Sequence, residues 1–380
     1  MTPMKPGQPN LCYRMPAEWE PHASTWLAWP HYRADWPGKF EPIPWVYAEI
    51  IRHLGRHERI DLIVNDLTSE KHARKVLAKA GGLSDNISFH RWPTNRVWTR
   101  DSGCTFVLCG ADAPAREDRK GHLSRTDQAG GTAHKTDLTA IKWRFNAWAK
   151  YSNYQHDERI GSRMAEVAHA HEIRPVHAKT RIVLEGGSID VNGQGTLLTT
   201  EECLLSRIQQ RNPAMSRADY EKVFSDHLGI KSVIWLDSGI TGDDTHGHVD
   251  DITRFVSPDT VVTAVESDPD DPNYGPLREN IRRLRAATDQ DGKPLAIIEL
   301  PMPGAVAFEG RRLPASYANF YIANGIVLVP VFNDPNDRLA LDILADLFSD
   351  RKVVGIYSGD LIWGFGAMHC MTQQQPAVRL

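Results

Sequence analysis

Ile252-Thr-Arg-Phe-Val-Ser-Pro-Asp-Thr-Val-Val-Thr-Ala-Val265 reads as two short strands rich in β-branched residues, joined by a Ser-Pro-Asp turn. The same strand–turn–strand plan recurs at Ser188-Ile-Asp-Val-Asn-Gly-Gln-Gly-Thr-Leu-Leu198 and at Asn319-Phe-Tyr-Ile-Ala-Asn-Gly-Ile-Val-Leu-Val329. A fourth, weaker unit starts at Thr105 and returns around Lys142, and a fifth begins at Thr25. Apolar periodicity predicts helices between them, at Pro44–Leu54, Glu70–Ala80, Arg159–His171, Arg217–Leu228, Pro276–Ala287 and Asp337–Phe348. Hairpin, helix and strand thus alternate as in a repeat architecture with little repeat of sequence. The expected class is α/β, arranged radially.

Each unit is opened by a polar residue in unusual company: His22, Asp101, Glu185, His248 with Asp250, and Asn319. Equivalent positions in the modules of a radial fold face one axis, so these residues are expected to converge on a central cavity. Two segments fall outside this plan. Residues 1–14 read as a loose tail ahead of a single catalytic domain covering 15–380. The stretch 110–135 is polar and Gly-containing, and reads as a surface insertion.

The totals exclude several classes of function. Lys plus Arg number 44 against 48 Asp plus Glu, a net charge of -4, which leaves no footprint for nucleic acid or an anionic membrane. No apolar run is long enough to span a bilayer. The opening Met1-Thr-Pro-Met-Lys-Pro-Gly-Gln lacks a secretory apolar stretch, so cytoplasmic residence is expected. The cysteines (Cys12, Cys104, Cys109, Cys203, Cys370) are odd in number and scattered, which fits free thiols rather than a disulfide framework. Nothing in the sequence fixes the oligomeric state, and a homo-oligomer stays open.

Four motifs carry chemistry. In Trp363-Gly-Phe-Gly-Ala-Met-His-Cys-Met-Thr, glycines permit a tight turn at Cys370, which reads either as a nucleophile or as a small buried hydrophobe. In Gly242-Asp-Asp-Thr-His-Gly-His-Val-Asp-Asp, an extended backbone would put His246, His248 and Asp250 on one face. Such a face could ligate a metal, supply a general acid/base with a carboxylate for a cation, or simply be a solvated acidic loop. Trp98-Thr-Arg-Asp and Leu184-Glu-Gly-Gly add Asp101 and Glu185. A thiol, an imidazole and several carboxylates, without a phosphate loop or a dinucleotide fingerprint, suit a planar cation with an electrophilic carbon. Guanidinium fits, because carboxylates bind it through parallel N–H···O pairs.

These motifs, with Met15-Pro-Ala-Glu-Trp-Glu-Pro-His, Phe145-Asn-Ala-Trp, Asn319-Phe-Tyr-Ile-Ala-Asn and His369-Cys-Met-Thr-Gln-Gln, resemble the agmatine deiminase family, grouped with Porphyromonas-type peptidylarginine deiminases. The resemblance runs from about Met15 to Pro376. It implies a five-bladed α/β propeller (the pentein fold) and hydrolysis of agmatine, a small-molecule guanidine, to N-carbamoylputrescine and ammonia, with no cofactor and no metal. It implies a covalent amidino intermediate on Cys370, His248 as general acid/base, Asp101 and Asp250 holding the guanidinium nitrogens, and Trp98 walling the pocket. Glu185, His246 and Asn319 are carried over as support around the site. Deiminases of free or peptide-bound arginine are the alternatives within the class; a metal-dependent hydrolase and a non-catalytic guanidine binder stand outside it.

The chain departs from the family pattern in places. Cys104 and Ala149 stand where the family has Pro and Gly, and Asp244 stands where a Glu precedes the histidine by four residues. Asp244 is therefore expected to meet the distal amine of the substrate.

Overall fold

The computed structural model describes residues 13–109 and 137–378. The insertion expected at 110–135 lies outside the described residues, as does the tail up to residue 12. Tyr13 and Arg14 do not belong to that tail: they form a short strand antiparallel to Thr105–Cys109. Their backbone groups are drawn into a sheet that already has apolar residues to bury.

Five sheets of three or four strands share one plan. In three of them a hairpin is followed by a helix and a third strand, which returns parallel to the second hairpin strand. The helices are Arg217–Leu228, Tyr274–Ala286 and Asn336–Leu347, close to their predicted spans. The sheet of Thr105–Cys109 and Asp137–Ile141 follows the same plan, with His171–Ile173 as its parallel strand after the helix Ile160–Val167. The fifth sheet differs in two respects: a second helix, Leu67–Lys79, leads to a further parallel strand, Ile87–Arg91, and its antiparallel partner comes from the other end of the sequence. His22–Ala28 pairs antiparallel with Gln373–Pro376 from the far side of the chain, and parallel with Arg59–Val64 after the helix Ile43–Leu54.

Local chemistry explains the helices. In Ile43–Leu54 the buried residues Ile43, Tyr47, Ile50, Ile51 and Leu54 form one apolar stripe. Arg217–Leu228 starts at a Ser216–Asp219 capping box and stops at Gly229, whose φ of 74° is left-handed. The apolar cores lie between neighbouring sheets as well as under the helices: one runs from Trp26 and Leu62 to Phe106 and Leu328, a second joins Val107 to Leu197, a third Leu198 to Phe255 and a fourth Val262 to Val327. No helix among the described residues is long and apolar enough to cross a membrane.

What lies between the cores is charged. Glu18 Oε1 accepts from the Ile322 backbone N–H at 2.8 Å and faces Arg254 Nη2 at 3.0 Å. Its Oε2 faces Arg100 Nη2 at 3.2 Å and His369 Nε2 at 2.7 Å. Arg254 also binds Asp190 and donates to the Phe320 carbonyl at 2.7 Å. One carboxylate and one guanidinium, both buried, thereby tie together segments from every sheet. Burial alone would raise the Glu18 carboxyl, but Arg254, His369 and Arg100 outweigh it and hold it well below the usual range.

Removing one partner from such a network leaves the other charges buried and uncompensated. Arg254→Met is expected to cost about 3–5 kcal/mol of folding stability, measured by denaturant unfolding. A loss below about 1 kcal/mol would show that the cluster contributes little to holding the sheets together.

Candidate active site

Cys370 sits two residues after Met368 in a buried turn that leads directly into the strand Gln373–Pro376. Its Sγ accepts a hydrogen bond from Asn319 Nδ2 at 3.1 Å and lies 3.7 Å from Asp250 Oδ2. The Cys370 carbonyl accepts from the Arg100 N–H at 3.3 Å, which fixes the short helix Thr99–Ser102 and thereby Asp101 beside the thiol. Asp101 Oδ2 accepts from Trp148 Nε1 at 2.8 Å, and its Oδ1 from the Gly187 N–H at 3.0 Å. Gly187 has to be glycine for steric reasons. A Cβ there would lie 2.5 Å from His248 Nδ1 and 3.0 Å from Asp250 Oδ2. The two glycines after Glu185 therefore let one backbone pass against three functional side chains.

The ring of His248 is fully buried among acids: Asp101 Oδ2 at 3.9 Å, Asp250 Oδ1 at 4.0 Å and Glu185 Oε2 at 3.9 Å. These separations are too long for hydrogen bonds. Both ring nitrogens, and Asp250 Oδ1, are buried without a hydrogen-bond partner among the described residues. Glu185 is anchored from behind by Arg211 Nε at 3.1 Å. Asp250 Oδ2 is anchored by His369 Nδ1 at 2.7 Å.

The structure thus brings together Cys370, His248, Asp101, Asp250, Glu185 and Asn319, and Trp98 lines the adjoining cavity. Three expectations need correction. His246 does not share a face with His248. The backbone turns at His246 and Gly247, with φ of 65° and 92°, instead of running extended. The His246 ring therefore points to Ser206 Oγ at 3.1 Å and Glu202 at 3.5 Å. A metal site built on the pair His246 and His248 has no geometry to support it. His22 also stays out of the centre, bound to the Glu18 carbonyl at 2.8 Å. Asp244 does line the cavity, but its carboxylate is already taken by Lys150, Tyr151 Oη and Arg311.

Other contributors were missed. His369 was visible as the neighbour of Cys370, and Trp148 as the end of Phe145-Asn-Ala-Trp, yet nothing in the sequence says that they reach Asp250 and Asp101. Asp251, which accepts from Asn319 Nδ2 at 2.9 Å, reads as a mere neighbour of Asp250.

The electrostatics follow from this crowding. Burial, then Asp250, Asp251 and Asp101, push the Cys370 thiol well above its usual value. Burial opposes the His248 imidazolium, but the charge of Asp101, and then Cys203 and Glu185, outweigh it, and its pKa lies well above normal. Burial raises Asp101, whereas His369 and His248 hold Asp250 low against the same burial effect. Ligand atoms of Asp250, Asp251 and Cys370 lie within 4.8 Å of one another, as do those of Glu185, Cys203 and His248, so either trio is compact enough to hold a cation.

The thiol opens onto a cavity of about 330 Å³ with Trp98, Trp148 and Phe365 among its aromatic walls. A second polar group lines the same cavity. Arg96 lies over the Tyr151 ring at 4.3 Å, donates to Asn153 Oδ1 at 3.1 Å and faces Asp35 Oδ1 at 3.4 Å.

A buried thiol beside an imidazole with two free nitrogens is the equipment of a cysteine-dependent enzyme, and the acid-rich walls suit a small cation. The chain belongs to the Porphyromonas-type peptidyl-arginine deiminase family, whose model matches residues 14–376. It is 34% identical to the agmatine deiminase of Stutzerimonas stutzeri over 99% of this chain and 97% of that protein. It is likewise 34% identical to the agmatine deiminase of Pseudomonas aeruginosa, over 97% of this chain and 96% of that one. The solved agmatine deiminase of Enterococcus faecalis superposes with a TM-score of 0.82 at 29% identity, covering 96% of each chain.

A thiol held high reacts slowly until the pH is alkaline, since only the thiolate attacks. In the substrate-free protein, iodoacetamide labelling of the Cys370 peptide, followed by mass spectrometry, is expected to be slower at pH 7 than for an ordinary free thiol. It should keep rising past pH 9. Rapid labelling at pH 6–7 would mean that the free protein already holds a thiolate.

Proposed function

We propose that this chain hydrolyses agmatine to N-carbamoylputrescine and ammonia. The observation that carries the reading is the set of buried polar atoms near the thiol that have no hydrogen-bond partner among the described residues: Asp250 Oδ1 and both nitrogens of His248. A buried acceptor left open is costly in a finished structure and reasonable in a receptor. A guanidinium placed between Asp101 and Asp250 would donate to these carboxylates and bring its central carbon to Sγ. The full-length likeness to proteins named agmatine deiminase supports the same substrate.

The steps follow from the electrostatics. The entering cation offsets Asp101, Asp250 and Asp251, the same charges that hold the thiol up, so binding itself favours loss of the thiol proton to solvent, from which it is regained when the thiol is restored. Sγ then bonds to the guanidinium carbon, giving a tetrahedral adduct. His248, protonated because of its acidic surroundings, gives a proton to one nitrogen; that C–N bond breaks and ammonia leaves. An amidino group remains on Cys370. Neutral His248 next takes a proton from water as the oxygen bonds to the same carbon. The S–C bond breaks, the thiol is restored and the ureido product departs. Glu185 and Asn319 position His248 and Sγ respectively.

We also read the five similar sheets as the blades of a single propeller, built as one catalytic unit from about residue 15. The shared hairpin–helix–strand plan, and the convergence of polar residues from successive units on Cys370, support this.

One observation favours a second substrate. Arg96, Lys150 and Arg311 cluster at the cavity around Asp35 and Asp244, and a carboxylate could be drawn to them, as free arginine would require. Ammonia release on agmatine, arginine and an arginine-containing peptide, measured side by side, separates the readings. Agmatine should be preferred by about tenfold or more, which ~1.4 kcal/mol of differential binding supplies. Preference for arginine would overturn the assignment.

Two further measurements test the chemistry. Acid-quenched protein should carry a substrate-derived adduct on the Cys370 peptide, and Cys370→Ser should lose several orders of magnitude in rate. Asp101→Asn and Asp250→Asn should each lose at least about 2 kcal/mol of transition-state stabilisation, because an amide donor would replace an acceptor facing another donor. Near-normal kinetics in either variant would remove that residue from the guanidinium clamp.

A further inference from the structure

The second polar group in the cavity has nearly used up its hydrogen-bonding capacity. Asp244 is held by Lys150, by Tyr151 Oη at 2.6 Å and by Arg311 at 2.9 Å. Arg96 Nη1 donates to the Asn153 carbonyl and to Asn153 Oδ1 at 3.0 and 3.1 Å, and its Nε faces Asp35 Oδ1. Asp35 is different. It lines the cavity and its side chain is 12% exposed, yet its Oδ2 meets no partner among the described residues. It stands in a single turn, Arg33–Asp35, held in place by Trp36, whose indole donates to the Leu361 carbonyl at 2.8 Å and packs on Trp98 at 5.9 Å. The same wall of the cavity therefore carries Trp98 and Asp35.

We infer that Asp35, rather than Asp244, receives the terminal ammonium of the substrate and sets the preference for a diamine-derived guanidine; this rests on the agmatine reading above. An ammonium at Oδ2 would complete the pairing that Arg96 begins at Oδ1, placing one carboxylate between two cations. A substrate carrying a carboxylate at that end would meet Asp35 as a like charge, with Arg96 already engaged. Burial is also what raises the Asp35 carboxyl, to about 7, despite Arg96. A cation arriving there favours the ionised carboxylate over the protonated form.

The test compares agmatine with n-butylguanidine, which keeps the guanidinium and the butyl chain and lacks the amine. Wild-type protein should show higher kcat/KM on agmatine. Asp35→Asn should lower the agmatine-to-butylguanidine ratio by about tenfold or more, mainly through KM for agmatine, and Asp35→Glu should recover part of it by restoring the charge. Asp244→Asn should move that ratio less than Asp35→Asn does. An unchanged ratio in a folded Asp35→Asn variant overturns the inference, as does a larger fall in Asp244→Asn. Should Asp35→Asn not fold, a ratio in Asp35→Ser equal to wild type has the same force. Wild-type protein that releases no ammonia from agmatine, yet does so from arginine, overturns the functional reading instead.

Discussion

Everything in the active centre hangs on the carboxylate of Glu18. Its two oxygens take up groups from four distant places: Arg100, Arg254, the Ile322 amide and the His369 ring. Arg100 is the neighbour of Asp101, and His369 is the neighbour of Cys370 and the anchor of Asp250. A single buried charge thus helps to place Cys370 and the carboxylates relative to one another. Apolar packing joins neighbouring sheets but is non-directional, so it does not by itself aim these polar groups. Directional, charge-assisted bonds locate side chains across the gap between them.

The second general feature is an imbalance of charge. Asp101, Asp250, Asp251 and Glu185 crowd one imidazole and one thiol, with Arg211 and Arg254 kept behind them as counter-ions. Such a centre is poorly suited to holding a thiolate while empty and well suited to forming one when a cation enters. On the mechanism proposed above, reactivity is coupled to occupancy. The same imbalance explains why the site tolerates open hydrogen-bonding positions at His248 and Asp250.

Much of this was legible in the sequence, because hairpin and helix signals are local. Ile252–Val265 and Asn319–Val329 read correctly as strand–turn–strand, and the polar residues before them do reach the thiol. The failures are equally physical. His246 was misplaced because period-two reasoning assumes an extended backbone, and two left-handed residues break it. Asp244 was taken for a free acid because Lys150 and Arg311 lie far off in sequence, with no signal that they would converge on it. Glu18 was quoted within a motif without a role, since its role exists only in long-range pairing. Asp35 went unnoticed for the opposite reason: what marks it is a bond it does not make.

The pairing of His22–Ala28 with Gln373–Pro376 has a consequence for how the protein comes into being. Ser24 and Gln375 are 351 positions apart, and Cys370 lies just ahead of the later strand. On the ribosome, four sheets have all their strands before the thiol emerges, while the first helix-bearing sheet waits with an unpaired edge. Loop closure over so long a span is slow. Cys370 therefore follows the strands of those four sheets, and the strand that seals the open edge also carries it in. Until that final strand docks, the site lacks its sulfur and also the His369 ring that holds Asp250 and Glu18 in place.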